Sequence, residues 1–125
     1  MSASARILVA EDQLDIAETL GQALEMQGYE VKKVTDGVGA INALLDESFD
    51  VALLDVKMPN VSGFGVLKFV QKYNPKTKVV VITSYGDQQH IAEAKALGAS
   101  AFIVKPYDIA DLLGTVNRLL QTPAA

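Results

Sequence analysis

Four short apolar runs punctuate the chain: Ile7-Leu8-Val9-Ala10, Val51-Ala52-Leu53-Leu54, Val79-Val80-Val81-Ile82 and Ala101-Phe102-Ile103-Val104. None alternates with polar residues, and unbroken runs of this length predict strands covered on both faces, as in a parallel sheet. A fifth segment, Tyr29-Glu30-Val31-Lys32-Lys33-Val34, is more polar and predicts a strand at the sheet edge. Segments of helical period lie between the runs. Ile16, Leu20, Ala23 and Leu24 share one face, as do Val66, Leu67 and Val70, and later Leu112, Val116, Leu119 and Leu120. Asp36, Ser62, Asp87 and Asp108 suit N-caps, because a short side-chain oxygen can accept from the free N–H groups of a first turn. Gly28 and Gly98 fall where the first and fourth helices should stop in the left-handed conformation. The pattern is (βα)5, an α/β fold whose right-handed crossovers place helices on both faces of the sheet.

Length and composition narrow the picture. At 125 residues, with 50% hydrophobic and 21% charged residues, the chain predicts one globular domain and no staple to hold it. Its expected bounds are residues 6–120, with residues 1–5 and 121–125 as flexible termini. The net charge of −4 argues against direct binding of nucleic acid or of an anionic membrane, both of which need a basic face. The absence of cysteine excludes disulfides, thiolate catalysis and Cys-ligated metals, and a lone histidine, His90, excludes a site built from two imidazoles. His90 itself reads as a solvated surface residue. No apolar run approaches the ~20 residues of a membrane span, and Ile7 to Ala10 after Arg6 is too short for a signal-peptide core. The expectation is a cytoplasmic protein without a membrane partner.

In an open parallel sheet the ligand crevice lies beyond the carboxyl ends of the strands. In chain order those ends carry Glu11-Asp12, Asp55, Thr83-Ser84 and Lys105-Pro106. Carboxylates held a few ångströms apart repel by ~1 kcal/mol per pair in water and ~4 kcal/mol at an effective dielectric of 20. Lys105 supplies one offsetting charge, and hard oxygen ligands without His or Cys suit Mg²⁺. A bland alternative keeps Asp55 and Lys105 as a stabilising ion pair only. Rival chemistries lack their motifs. Glu11-Asp12-Gln13 stands where a dinucleotide fold needs glycines, and there is neither a P-loop nor a Gly-x-Ser-x-Gly elbow. A phosphatase of the haloacid-dehalogenase type would carry a second Asp two residues after the first, where this chain has Lys57.

Glu11-Asp12, Asp55-Val56-Lys57-Met58-Pro59 running to Gly63, Ile82-Thr83-Ser84, Gly98-Ala99 and Lys105-Pro106 together closely resemble the receiver domain of bacterial two-component response regulators. The resemblance runs from Arg6 to about Leu120 and implies the flavodoxin-like fold with sheet order 2-1-3-4-5. It makes Asp55 the acceptor of a phosphoryl group from a phosphohistidine on a sensor histidine kinase or histidine phosphotransfer protein. Mg²⁺ would be held by Asp12, Asp55 and the backbone carbonyl of Lys57, with Glu11 acting through water. Glu at position 11, where Asp is commoner, adds one methylene. Lys105 and Thr83 would contact the phosphoryl oxygens, and Phe102 would turn inward as the switch aromatic, in competition with a plain core role. The Lys105-Pro106 peptide would be cis.

Such a protein is no turnover enzyme; it catalyses only its own phosphoryl transfer and slow autodephosphorylation. Its downstream protein partner would read the face made by the fourth helix, fifth strand and fifth helix. There Ile91, Ala94, Lys95, Leu97 and Tyr107 are expected to form a mostly apolar patch, giving a monomer or a weak dimer. A pseudo-receiver that binds partners without phosphorylation is the alternative, and the complete set of acids, Thr83 and Lys105 argue against it. A Mg²⁺-dependent hydrolase ranks third. Too few residues follow position 120 for an effector domain, so a stand-alone regulator and a piece of a longer protein fit equally.

Overall fold

The computed structural model describes residues 4–84 and 88–121. Strands and helices alternate as β1 (Arg6–Ala10), α1 (Leu14–Met26), β2 (Glu30–Val34), α2 (Gly37–Asp46), β3 (Val51–Asp55), α3 (Gly63–Tyr73), β4 (Lys78–Ser84), α4 (Gln88–Ala96), β5 (Ala101–Lys105) and α5 (Ile109–Gln121). All strand pairs are parallel and the sheet order is β2-β1-β3-β4-β5, as the resemblance implied. Among the described residues no helix is long and apolar enough to cross a membrane.

Because side chains alternate along a strand, each apolar run feeds two cores. Leu8, Ala10, Ala52, Leu54, Val79 and Val81 pack with α2, α3 and α4. Ile7, Val9, Val51, Leu53, Val80 and Ile82 pack with α1 and α5. All five residues of β3 are buried, which explains its unbroken apolar sequence and fixes Asp55 at its end. Truncating Leu53 to Ala at this centre would cost about 2–5 kcal/mol.

The caps fall where side-chain chemistry placed them. Asp36 Oδ1 accepts from the Gly39 N–H at 2.6 Å, Ser62 Oγ from Gly65 at 3.3 Å and Asp108 Oδ1 from Ala110 at 2.9 Å. Asp87 lies outside the described residues. Gly28 and Gly98 end α1 and α4 at φ of 93° and 88°, a region that costs glycine nothing and a Cβ-bearing residue strain.

Three expectations need correction. The apolar run of β5 predicts cover on both faces, yet all five of its residues are only half-buried, because it forms the sheet edge opposite β2. His90 is not a freely solvated surface residue; it is half-buried and its ring meets Phe64 edge-on, 5.3 Å between centroids. The expected apolar patch also does not exist as one surface. Ala94 is fully buried beneath α4, and Tyr107 packs with Ile16 and Ile109 on the α1–α5 side.

Candidate functional site

Four strand ends bring the candidate residues together. Ligand oxygens of Glu11 and Asp12 after β1 and Asp55 at the end of β3 all lie within 4.8 Å of one another. Glu11 and Asp55 are buried and Asp12 is exposed, so the cluster opens to solvent on one side. Lys105, the last residue of β5, reaches back over the sheet. Its Nζ stands 2.5 Å from Asp55 Oδ2 and 3.3 Å from Glu11 Oε1. Asp55 Oδ1 accepts from the Lys57 backbone N–H at 2.9 Å, and Glu11 Oε2 accepts from the Gln13 N–H at 3.1 Å. The second bond satisfies the N–H of Gln13, the N-cap residue of α1, whose own side chain caps nothing.

Burial pushes the Glu11 carboxyl up from 4.5 to about 7, with Asp12 and Asp55 adding to the rise and the Gln13 N–H and Lys105 opposing it. For Lys105 burial acts against the ammonium. Its hydrogen bond and charge interaction with Asp55, together with Glu11, outweigh burial and hold its pKa above the ordinary lysine value. Burial likewise raises the phenol of Tyr107, which lies near Lys105.

Thr83 is 3% exposed, and its Oγ1 has no hydrogen-bond partner among the described residues. A buried hydroxyl left unpaired costs about 1–3 kcal/mol, so a group that supplies an acceptor there gains that much. Phe102 shares the α2–α4 face of the sheet with Thr83's neighbour Val81, which it directly opposes across β4 and β5. Its ring is half-buried, between the core role and the exposed one, and Lys95 Nζ sits 5.0 Å from its centroid. The Lys105-Pro106 peptide is cis.

The donor set suits Mg²⁺. It is all oxygen, it carries more negative charge than Lys105 neutralises, and its exposed side leaves room for the waters this ion retains. Two features escaped the sequence reading. One is the Lys57 N–H, a backbone donor that no side-chain pattern reveals. The other is a cleft of ≈590 Å³ beside the cluster, lined chiefly by Ile16, Thr19, Leu20, Lys105, Pro106 and Tyr107.

With this geometry in place, comparison with known proteins defines the class. Residues 7–117 match the family described as the response regulator receiver domain, and the chain belongs to that family. It is 31% identical over 115 residues to sporulation initiation phosphotransferase F of Bacillus subtilis, covering 92% of this chain and 93% of that protein. It is 32% identical over 121 residues to regulatory protein AtoC of Escherichia coli, covering 97% of this chain but 26% of AtoC. The chain thus spans a quarter of AtoC, and 52% of another relative, response regulator ArlR of Staphylococcus saprophyticus. A CheY-like receiver domain protein from Methanospirillum hungatei superimposes with a TM-score of 0.90 at 30% identity, covering 94% of each chain. Chemotaxis response regulator CheY4 of Vibrio cholerae gives 0.87 at 31% identity, covering 94% of this chain and 99% of that one. The chain is a receiver domain of the two-component response regulators, a family of signalling switches.

Proposed function

We propose that residues 6–120 form a phosphorylation switch in a cytoplasmic two-component pathway, with Asp55 as acceptor. The observation that carries this reading is the 2.5 Å contact of Lys105 with Asp55 inside the three-carboxylate cluster. An Asp55 oxygen attacks the phosphorus of a phosphohistidine on a sensor histidine kinase or histidine phosphotransfer protein. The P–N bond breaks, the imidazole leaves, and an acyl phosphate remains. Asp12, Asp55 and the Lys57 carbonyl would hold Mg²⁺, with Glu11 behind a water, and the ion would neutralise phosphoryl oxygens during transfer. Lys105 passes from the carboxylate to a phosphoryl oxygen, and the unpartnered Thr83 hydroxyl donates to another. The cleft between α1 and the segment after β5 offers the donor's helix an apolar seat within reach of Asp55. As Thr83 moves, Phe102 turns inward and the α4–β5–α5 surface changes for a downstream protein partner.

Incubation with acetyl phosphate and Mg²⁺ tests the reading. Intact mass should rise by one phosphoryl group, and Asp55→Asn should stay unmodified. Equal uptake by the variant sinks the assignment.

A further inference from the structure

Three of the large hydrophobic side chains exposed among the described residues lie on two adjoining helices. Val38 and Leu45 of α2 are 45% and 66% exposed, and Tyr73 of α3 is 60% exposed. Helical spacing gathers them. Val38, Ile41 and Leu45 recur along one flank of α2, and Phe69 and Tyr73, four apart, along one flank of α3. The flanks face each other. Ile41 and Phe69 pack on the same core, Asn74 Nδ2 just beyond Tyr73 donates to the Leu44 carbonyl at 3.3 Å, and the Phe69 and Tyr73 rings lie 4.9 Å apart. The result is an apolar furrow between two parallel helices.

Its rim is basic. Lys68 and Lys72, one turn apart on the outer side of α3, and Lys76 beyond its end are all exposed. None of the three has a carboxylate partner among the described residues. The opposite rim, Asn42 and Asp46 on α2, carries a single charge. Three lysines without a carboxylate partner among the described residues, of which Lys72 places its Nζ 5.3 Å from the Tyr73 ring centre, are out of keeping with a chain of net charge −4. In a two-fold contact through this face a second copy would set its own lysines against these, so self-association is disfavoured here.

We infer that the α2–α3 furrow docks an amphipathic helix from a partner protein, with apolar anchors seated against Leu45 and Tyr73 and acidic residues four apart meeting Lys68 and Lys72. The mode is that of a helix in a groove, where i, i+3/i+4 and i+7 anchors give affinity and flanking charges give register. α2 and α3 do not carry Thr83 or Phe102, so this docking is constitutive and does not depend on the state of Asp55.

The probe is a capped synthetic helix of about 16 residues, long enough to hold its fold, with a leucine stripe and two flanking glutamates four apart. It is titrated into ¹⁵N-labelled protein, beside a twin whose glutamates are lysines. Shift changes should map to α2 and α3, and the acidic peptide should bind about tenfold more tightly, two exposed ion pairs against two repulsions. Binding should be lost in Leu45→Glu and in Tyr73→Glu, both at exposed positions, and should be the same with and without beryllofluoride. No shifts at millimolar peptide, shifts centred on another face, or equal affinity for the two peptides overturns the proposal. Concentration-dependent shifts of these helices without peptide also overturn it, because a second copy would then be the occupant.

Discussion

Lys95 Nζ lies 5.0 Å from the centre of the Phe102 ring, which places a cation of α4 over the aromatic of the edge strand. An exposed contact of this kind is worth about 0.5–1 kcal/mol. In the proposed switch the ring leaves this position when it turns inward, so the contact favours the resting form. Lys95→Met keeps the apolar stem and removes the charge. It should raise the population with Phe102 turned inward about two- to fivefold in unphosphorylated protein. Aromatic relaxation dispersion reads that population, and an unchanged or smaller value refutes the role given to Lys95.

Asp12 is the exposed member of the acidic cluster, and its carboxylate meets the Glu11 carboxyl, whose pKa it helps to raise. Its removal relieves repulsion worth about 1 kcal/mol per pair at solvent-like screening. Asp12→Ala should therefore melt at a higher temperature than the parent in EDTA while binding Mg²⁺ more weakly. A lower melting point in EDTA would show that the Asp12 hydrogen bond with Glu11 outweighs the repulsion.

Lys105→Met should act in the opposite sense. Asp55 and Glu11 stay buried with their cation gone, which should cost about 1–3 kcal/mol in metal-free protein. The same loss removes a positive charge that competes with a divalent ion, so Mg²⁺ should bind the variant more tightly and recover part of its stability. Calorimetric titration and melts with and without Mg²⁺ check both signs; weaker Mg²⁺ binding contradicts the electrostatic account.

Glu11 gives a pH dependence of definite sign. Its folded-state pKa of about 7 exceeds the ordinary 4.5, so the folded protein binds more protons between those values. The stabilisation from protonated Glu11 is complete below about 4.5 and is lost as pH rises through about 7. Metal-free protein should thus gain stability from pH 8 to pH 6, and Glu11→Gln should flatten that slope. Lys105, raised above its usual value, titrates too high to contribute in this window. Mg²⁺ competes with the Glu11 proton, so the stabilisation it adds should shrink over the same descent. Parallel slopes for the parent and Glu11→Gln in EDTA would remove Glu11 as the cause.

The sequence was most legible where sheet geometry leaves no freedom. A parallel strand buried on both faces must announce itself as an apolar run, and its carboxyl end faces the crevice, so order alone marked Glu11, Asp12 and Asp55, which the structure gathers within 4.8 Å. Lys105 was marked in the same way although its strand, β5, is only half-buried. The caps Asp36, Ser62 and Asp108 were legible because their chemistry is local. What was misread depends on facing. Ala94 and Tyr107 are close to β5 along the chain, but one turns under α4 and the other crosses to α1 and α5. His90 looked solvated among Gln88 and Gln89, yet its place on the first turn of α4 brings it against Phe64 on α3. The Lys57 N–H could not be seen at all, since every non-proline residue has one.

Gly63 ties the loop after β3 to the site through space rather than charge. Its N–H donates to the Val56 carbonyl at 3.0 Å at the start of α3. A Cβ there would stand 2.4 Å from the Asp55 carbonyl oxygen and 2.9 Å from its carbon, both backbone atoms that cannot rotate away. Gly63→Ala must therefore displace the chain on which the Asp55 carboxylate rests. The expected cost is about 1–3 kcal/mol of stability. The larger effect should fall on chemistry, because displacing a reacting group by about 1 Å can cost on the order of 100-fold in rate. Gly114→Ala is the control. It lies within α5 with nothing within 4 Å of the added methyl, so it should gain up to about 1 kcal/mol of helix propensity and leave phosphorylation unchanged. Rates of uptake from acetyl phosphate, measured where both variants are fully folded, separate the two effects. Uptake by Gly63→Ala at the parent rate would show that Asp55 keeps its position despite the methyl, and that the close approach of α3 serves packing alone.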